Sequence, residues 1–374
     1  MIQPTDGKLG TRELFAMLAL MVGIKLSDGT PMILIEAGMN ATWMIPILSG
    51  LIVFIPLLCL LSLLKKYKDK HLVDLTFTIM GKYIGFLFCF LMLVAIVFSN
   101  ALNERTTVNI ISTMFFPKTP IIAIFLFLIG GSYAIAKLGL EATGRTSWLI
   151  LPYIKVILFL LFLFIFLDIR VEHLFPIAGP GLDVIVKESL TYQTIYFEFI
   201  LLALFFTSTR TEKNFRMASL FGLAFVVMEM AVTYAYFVMM FDYPSVREIA
   251  YPFQQLTRML EVGTIITSYE GLFLGFWIIA CVLRFALYLL FSVKIVAYMF
   301  NIQDYKPLLL PLATLTLLIG LLPENPTDTT YFLRDIILLQ FIWQFIMVMP
   351  IILWVVSKAK GYFHAKNRSN LTIK

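Results

Sequence analysis

Lysine, aspartate and threonine fall within six residues of one another in Gly23-Ile24-Lys25-Leu26-Ser27-Asp28-Gly29-Thr30-Pro31, between the apolar runs 14–22 and 32–35. Lys25 and Asp28 are three apart, so on an intact helix they would share a face and could pair. In an unwound segment they could instead offer an ammonium and a carboxylate to a ligand. Gly23 and Gly29 would expose backbone amides and carbonyls there, and freed half-helix ends carry partial charges that suit a zwitterion or an ion. Four further places combine charge with apolar surroundings. Glu104 and Arg105 are adjacent, so on a helix they reach different partners, an interhelical salt bridge being the plain alternative to ligand contact. Arg284 and Tyr288 are four apart and share a face that could hold an anionic group, unless Arg284 simply neutralises Glu104 or Glu198. Glu198 lies among Tyr196, Phe197 and Phe199, where a carboxyl must be paired or protonated. Lys155 follows Pro152 and Tyr153; it could replace a bound cation, carry a proton, or snorkel to the inner face near Arg145. Glu229 and Lys294 read as structural.

What must position these residues is a set of membrane helices. The chain has 374 residues, 60% hydrophobic and only 14% charged, with apolar stretches of about 20 residues recurring throughout. A lysine or aspartate in the middle of a spanning helix costs about 2.5–3.5 kcal/mol on insertion scales. Irregular backbone at that depth is tolerated only where protein or a water-filled cavity surrounds it. The stretch 23–31 is therefore expected to be an unwound break in the first membrane helix. The polar N-terminus shows no cleavable signal peptide. The net charge of +6 is no nucleic-acid signature, because it follows from where lysines and arginines sit relative to the membrane. Cys59, Cys89 and Cys281 all lie in apolar segments and form no disulfide framework; with His71, His173 and His364 scattered, no metal spacing results. Phosphate-binding glycine loops, nucleophile elbows and zinc-protease motifs are absent, and no cofactor is implied.

Ten spans are expected, near 12–35 (broken), 42–64, 82–115, 120–138, 146–167, 190–208, 215–240, 264–300, 307–322 and 330–357. With both ends inside, eighteen of the 29 lysines and arginines fall on inner segments, and Lys118, Arg170, Lys187, Arg247, Arg258 and Arg334 on outer ones. Five, Lys25, Arg105, Lys155, Arg284 and Lys294, stay within spans. That threefold bias supports cytoplasmic termini, with a basic tail at 358–374. The third and eighth spans each exceed 30 residues, near 50 Å against a hydrocarbon core of about 30 Å, so they must tilt or project. They hold equivalent places in two groups of five, 11–167 and 190–357, within one membrane domain. An odd number per group inverts the second, the layout of an inverted repeat. Residues 168–189 read as a turn-rich outer loop. In 244–262, Ser245 and Glu248 have capping-box spacing, and Phe253, Leu256, Leu260 and Val262 alternate with polar residues as in short amphipathic helices on the outer face.

Three stretches together carry a resemblance: Lys25-Leu26-Ser27-Asp28-Gly29-Thr30-Pro31, Pro252-Phe253-Gln254-Gln255-Leu256, and the segment around Glu198. With the ten-span layout they resemble the B subunit of spore germinant receptors (GerAB/GerBB/GerKB type), within the amino acid–polyamine–organocation transporter superfamily, and the resemblance covers essentially the whole chain. It implies an all-α polytopic membrane protein with ten transmembrane helices in a LeuT-like five-plus-five inverted repeat. It implies a nutrient sensor rather than an enzyme, in the inner spore membrane, acting with A-type and lipoprotein C-type subunits on a small nutrient such as an amino acid, sugar or nucleoside. An autonomous proton- or sodium-coupled amino-acid permease and a scaffold with a vestigial pocket are the alternatives. The fold would build its pocket from spans one, three, six, eight and sometimes ten, which implies ligand contacts at Gly23, Lys25, Asp28, Gly29, Thr30, Glu104, Arg105, Ile195, Phe197, Glu198, Arg284 and Tyr288; in the permease alternative Lys155, Asp28 and Glu198 are the candidates for ion or proton coupling. The sixth span departs from that pattern: 190–208 holds no glycine or proline, so a break falls to Thr191–Thr194 or the helix runs through.

Overall fold

The computed structural model describes residues 8–259, 269–323, 325 and 328–371, and it is helical throughout, with no strand among the described residues. The broken first span is there. Helix α1 (Thr11–Gly23) passes into a tight turn at Ile24–Ser27, Asp28 is extended, and α2 (Thr30–Gly38) leaves with a 67° bend. Pro31 sits in the first turn of α2, where a missing N–H breaks no hydrogen bond.

Then follow α3 (Met44–Lys66), α4 (Leu72–Met80), α5 (Lys82–Ile110), α6 (Ile121–Leu138) and α7 (Leu140–Ile165). The second part of the chain holds α8 (Leu182–Tyr192), α9 (Glu198–Leu201), α10 (Glu212–Phe241), α11 (Tyr243–Arg247), α12 (Pro252–Met259), α13 (Tyr269–Phe300), α14 (Leu309–Gly320) and α15 (Trp343–Leu371). Among the described residues eight helical segments are long and apolar enough to cross a membrane, and the bent first pair makes a ninth, so the protein is a multi-pass membrane protein. The expected stretch 307–322 corresponds to a shorter apolar helix, Lys306–Gly320. The third span, Lys82–Phe115, runs for 34 residues and α13 for 32, as their apolar lengths require. Residues 260–268, which include the expected start of the eighth span, lie outside the described residues.

Helix α1 is the buried axis. It packs on α10 and α7, and close approach depends on glycine at two points. A Cβ at Gly144 would come within 2.9 Å of Leu9, and one at Gly222 within 3.3 Å of Leu18. Helix α13 lies against α5, α6 and α7, and α15 against α3. Below α1 the chain is clipped: the Leu9 N–H donates to Ser208 O (2.8 Å) and the Arg210 N–H to Leu9 O (2.9 Å).

Three expectations need correction. The sixth span is longer than 190–208, running over Leu182–Ser208, so the loop before it is shorter. It crosses without a sharp bend, yet its helical ladder tightens at Gln193–Tyr196 and again at Leu202–Ser208. Ser245 does not cap a helix: Asp242, with φ +59°, caps α11 by accepting from the Ser245 N–H at 2.8 Å. Finally, α4 is a nine-residue apolar helix in what reads from sequence as an inner loop; it is too short to span and packs on α5 and α15.

Candidate functional site

Lys25 and Asp28 do not pair with each other. The Lys25 ammonium donates to Glu198 Oε2 at 2.8 Å and to the Ile195 carbonyl, and lies 4.4 Å from the centre of the Phe197 ring. The turn that tightens the sixth span beside Ile195 thus carries a carbonyl that takes a charge from the first. Glu198 Oε1 accepts from the Tyr288 hydroxyl at 2.8 Å. Of the two states open to Glu198 from sequence, it is the paired one.

Asp28 turns the other way. Its Oδ1 accepts from the Thr30 N–H (2.8 Å) and hydroxyl (2.6 Å), closing the start of α2, where the exposed amides favour negative charge. Its Oδ2 accepts from Arg284 Nη1 (2.9 Å) and Arg334 Nη2 (2.8 Å). Arg284 therefore neutralises neither Glu104 nor Glu198, and with Tyr288 it faces the break as their spacing predicts. Arg334 also donates to Thr30 Oγ1 at 2.7 Å. All five ions are buried. Three cations against two carboxylates leave one positive charge in excess, and Arg284 Nε and Nη2 and Arg334 Nη1 have no hydrogen-bond partner among the described residues. Removing one member of such a buried set costs about 3–5 kcal/mol, because it strands the others.

The break is held from two more sides. Gln254 of α12 donates to Ser27 O at 2.7 Å, and Trp277 of α13 donates to Ser27 Oγ at 2.8 Å. The amphipathic segment expected on the surface thus reaches into the core through one buried amide. Glu36 of α2 and Arg247 of α11 add a bidentate pair at 2.6 and 2.7 Å.

Two small cavities flank the break. One, about 20 Å³, is lined on its polar side by Lys25, Thr30, Ser99, Asn103 and Arg334. Its apolar side includes Phe197 and Trp343, stacked at 3.6 Å between ring centres, with the Trp343 N–H on Ser99 Oγ at 2.8 Å. The other, about 40 Å³ and mostly apolar, touches Gly23, Ser27, Lys155, Glu229 and Trp277. Lys155 does not snorkel toward Arg145, which pairs with Glu141 (2.6 Å); it forms an ion pair with Glu229. Gly23 makes room for that pair, since a Cβ there would stand 3.0 Å from Lys155 Nζ and 3.4 Å from Glu229 Oε2. Neither Gly23 (φ −61°) nor Gly29 (φ −75°) uses the left-handed region.

Glu104 and Arg105 are buried but lie outside this network, and neither enters an ion pair with a described residue. Among the described residues Glu104 accepts only from Asn100, at 3.4 Å. The reason is helical phase: Ser99 and Asn103, four apart, line the cavity, while Glu104 and Arg105 are turned about 100° and 200° away. Sequence reasoning missed Arg334, Asn103, Ser99, Trp343, Trp277 and Gln254. Arg334 carried a usable signal, a lone arginine inside the expected tenth span, but was counted with the outer segments. The helix it sits on has wide π-type turns over Asp328–Ile342.

The family described as "Spore germination protein" matches residues 9–329. Among curated relatives, the putative spore germination protein YfkT of Bacillus subtilis (strain 168) is 24% identical over 357 residues, 94% of this chain and 96% of the relative. Spore germination protein B2 of the same organism is 23% identical over 337 residues, 86% of this chain and 88% of its own length. Spore germination protein YndE, also from that strain, is 24% identical over 325 residues, covering 84% and 86%.

Proposed function

The chain belongs to the spore germination protein family, and from that membership we propose that it is the nutrient-sensing membrane subunit of a spore germination receptor. It binds a small nutrient, an amino acid, at the broken first span. The observation that carries this reading is the five-ion network of Lys25, Asp28, Glu198, Arg284 and Arg334, drawn from four separate segments onto one break beside a cavity. A buried set of that kind is an expensive way to hold helices together and a suitable way to hold two arrangements close in energy. The ligand acts by binding one arrangement better than the other, and the receptor follows the population.

The same reading places the protein in the inner spore membrane with both termini cytoplasmic, together with A-type and lipoprotein C-type subunits. It makes the ten spans two inverted groups of five, 11–167 and 190–357, with the pocket between them. Gly29→Leu sets a bulky side chain at the start of α2, next to Thr30. Spores carrying it should lose or shift their nutrient response while the protein accumulates normally. An unchanged dose–response at normal protein level overturns the pocket assignment.

A second reading, an autonomous coupled amino-acid permease, is favoured by one observation. The Lys155–Glu229 ion pair lines a cavity against Gly23, on the break itself. Proteoliposomes holding this chain alone decide it: ligand-dependent uptake favours the permease, and its absence with retained nutrient binding favours the sensor.

A further inference from the structure

Glu104 is the buried carboxyl that the break does not use. It is wholly buried on α5, and Asn100, one turn before it, is 1% exposed. The Asn100 amide donates to Glu104 Oε1 over 3.4 Å, while Glu104 Oε2 and Asn100 Oδ1 have no hydrogen-bond partner among the described residues. The elements packed on α5 bring charged and titratable groups, and each is engaged elsewhere or stands apart. Helix α13 brings Cys281, Arg284, held by Asp28, and Tyr288, held by Glu198. The segment Asp328–Ile342 brings Arg334, on Asp28 and Thr30, and Asp335, which accepts from Gln340. Asp74 of α4 meets His71, Lys137 of α6 lies over Tyr133, and Arg258 of α12 donates to Met114 O beyond the end of α5. Helix α14 carries no charged residue. Arg105 follows Glu104 in the chain and so projects from another face of the helix. Packing is also close here: a Cβ on Gly320 of α14 would stand 3.1 Å from Ala101 O, one turn before Glu104.

A carboxylate in that place would keep one long hydrogen bond and no counter-ion, which is among the costliest groups a membrane helix can hold. A single proton removes both faults. Placed on Oε2, it makes the group neutral and gives Asn100 Oδ1 a donor, so that acid and amide answer each other. We propose that Glu104 and Asn100 form a proton-binding site in the third span, occupied in this conformation. The proton comes from water and returns to it, and no other bond forms or breaks. Its release leaves an anion that must meet water or a cation, so α5 has to part from a neighbour when the proton goes. The same helix presents Ser99 and Asn103 to the cavity beside the break, on a different face from Glu104. Protons therefore bias the position of a helix that the break also touches, as any ligand does that binds one arrangement better than the other. The site differs from Lys155 and Glu229, which answer each other as an ion pair. It stands whether the chain senses a nutrient or transports one.

The test uses the purified full-length chain in lipid nanodiscs. At about pH 7.5 ordinary carboxyls are ionised, so the infrared carbonyl stretch of a neutral carboxylic acid, which shifts in deuterium oxide, reports the proton directly. The parent should show that band, and Glu104→Gln, nearly the same in shape and unable to ionise, should lose it. Asn100→Leu should keep the band and move it to higher frequency, because the acid loses its partner. The folded form holds a proton that the unfolded chain releases, so the parent's melting temperature should fall as pH rises from about 5 to about 8, and fall less in Glu104→Gln. Replacing choline chloride by sodium chloride should change neither result. A parent without the band overturns the proposal with no variant needed, as do equal bands or equal pH slopes in parent and Glu104→Gln. A band that Asn100→Leu leaves unmoved overturns the assigned partner. Stabilisation by sodium that Glu104→Gln abolishes makes the occupant a metal ion and overturns the proton.

Discussion

Lys25 and Glu198 show how tightly the two parts of the chain depend on each other. They are 2.8 Å apart and 173 residues apart in sequence, and both are buried. Lys25→Met should destabilise the detergent-solubilised protein by about 3–5 kcal/mol, because it strands the buried Glu198 without its cation and leaves it only the Tyr288 hydroxyl. Adding Glu198→Gln should recover most of that loss, since the pair replaced as a whole leaves no stranded ion. A double-mutant cycle read by denaturant unfolding checks this, and additive losses would mean that the two do not act as a pair. Asp28→Asn has no such single rescue, because two guanidinium groups face it. At this scale the sequence was partly legible. A lysine and an aspartate inside an apolar run mark a site whatever their partners. The partners were not legible, because they lie on other spans and nothing local encodes which cation meets which carboxylate. Glu104 and Arg105 drew attention by their charge, yet Ser99 and Asn103 face the cavity. Helical phase decides that, and phase is invisible until the neighbouring helices are placed.

Helices α11 and α12 deserve to be treated as part of the site. The buried Gln254 amide reaches the Ser27 carbonyl, and the Glu36–Arg247 pair fixes α11 to α2. That half-exposed ion pair adds little stability. The Gln254 bond is different, since its loss leaves a buried carbonyl without a donor, at about 1–3 kcal/mol. Gln254→Leu should therefore raise amide hydrogen exchange over Pro252–Met259 at least several-fold, with exchange in α10 unchanged. Equal exchange in variant and parent would show that α12 is held by its apolar face alone. That this segment forms a helix was readable from sequence over Pro252–Met259, but the burial of Gln254 on it was not, and Leu260 and Val262 of the expected pattern lie outside the described residues. The sixth span was harder. Without glycine or proline it offers no punctuation, and its turns tighten at Gln193–Tyr196 where Lys25 takes the Ile195 carbonyl, a tertiary demand rather than a local one.

For the molecule as a whole, the threefold bias of lysines and arginines argues for ten spans with both ends on one side, and the apolar helix at Lys306–Gly320 decides the count. If it crosses, a reporter fused after residue 180 should be active outside the membrane, and reporters fused after 304 and after 371 should both be active in the cytoplasm. A reporter after 325 that is also cytoplasmic would show that this helix does not cross, and would turn the last span around. The long apolar segments made the helical, multi-pass class plain from composition. The short ninth helix and the apolar α4 were not separable by hydropathy alone, because length in an apolar run is all that distinguishes a crossing from a surface helix.

The broken first span also sets a problem of timing. Asp28 and Arg334 are separated by 306 residues. At about 5–20 residues per second of synthesis, roughly 15–60 s pass between the appearance of the aspartate and that of its second arginine. Throughout that interval the first span holds an ammonium and a carboxylate whose final partners do not yet exist. The nascent chain must keep 24–30 at the lipid surface, in the insertion machinery, or paired with each other in a temporary Lys25–Asp28 bond. The Lys25–Asp28 contact, which the finished fold does not use, is thus one that the unfinished chain has available throughout that interval.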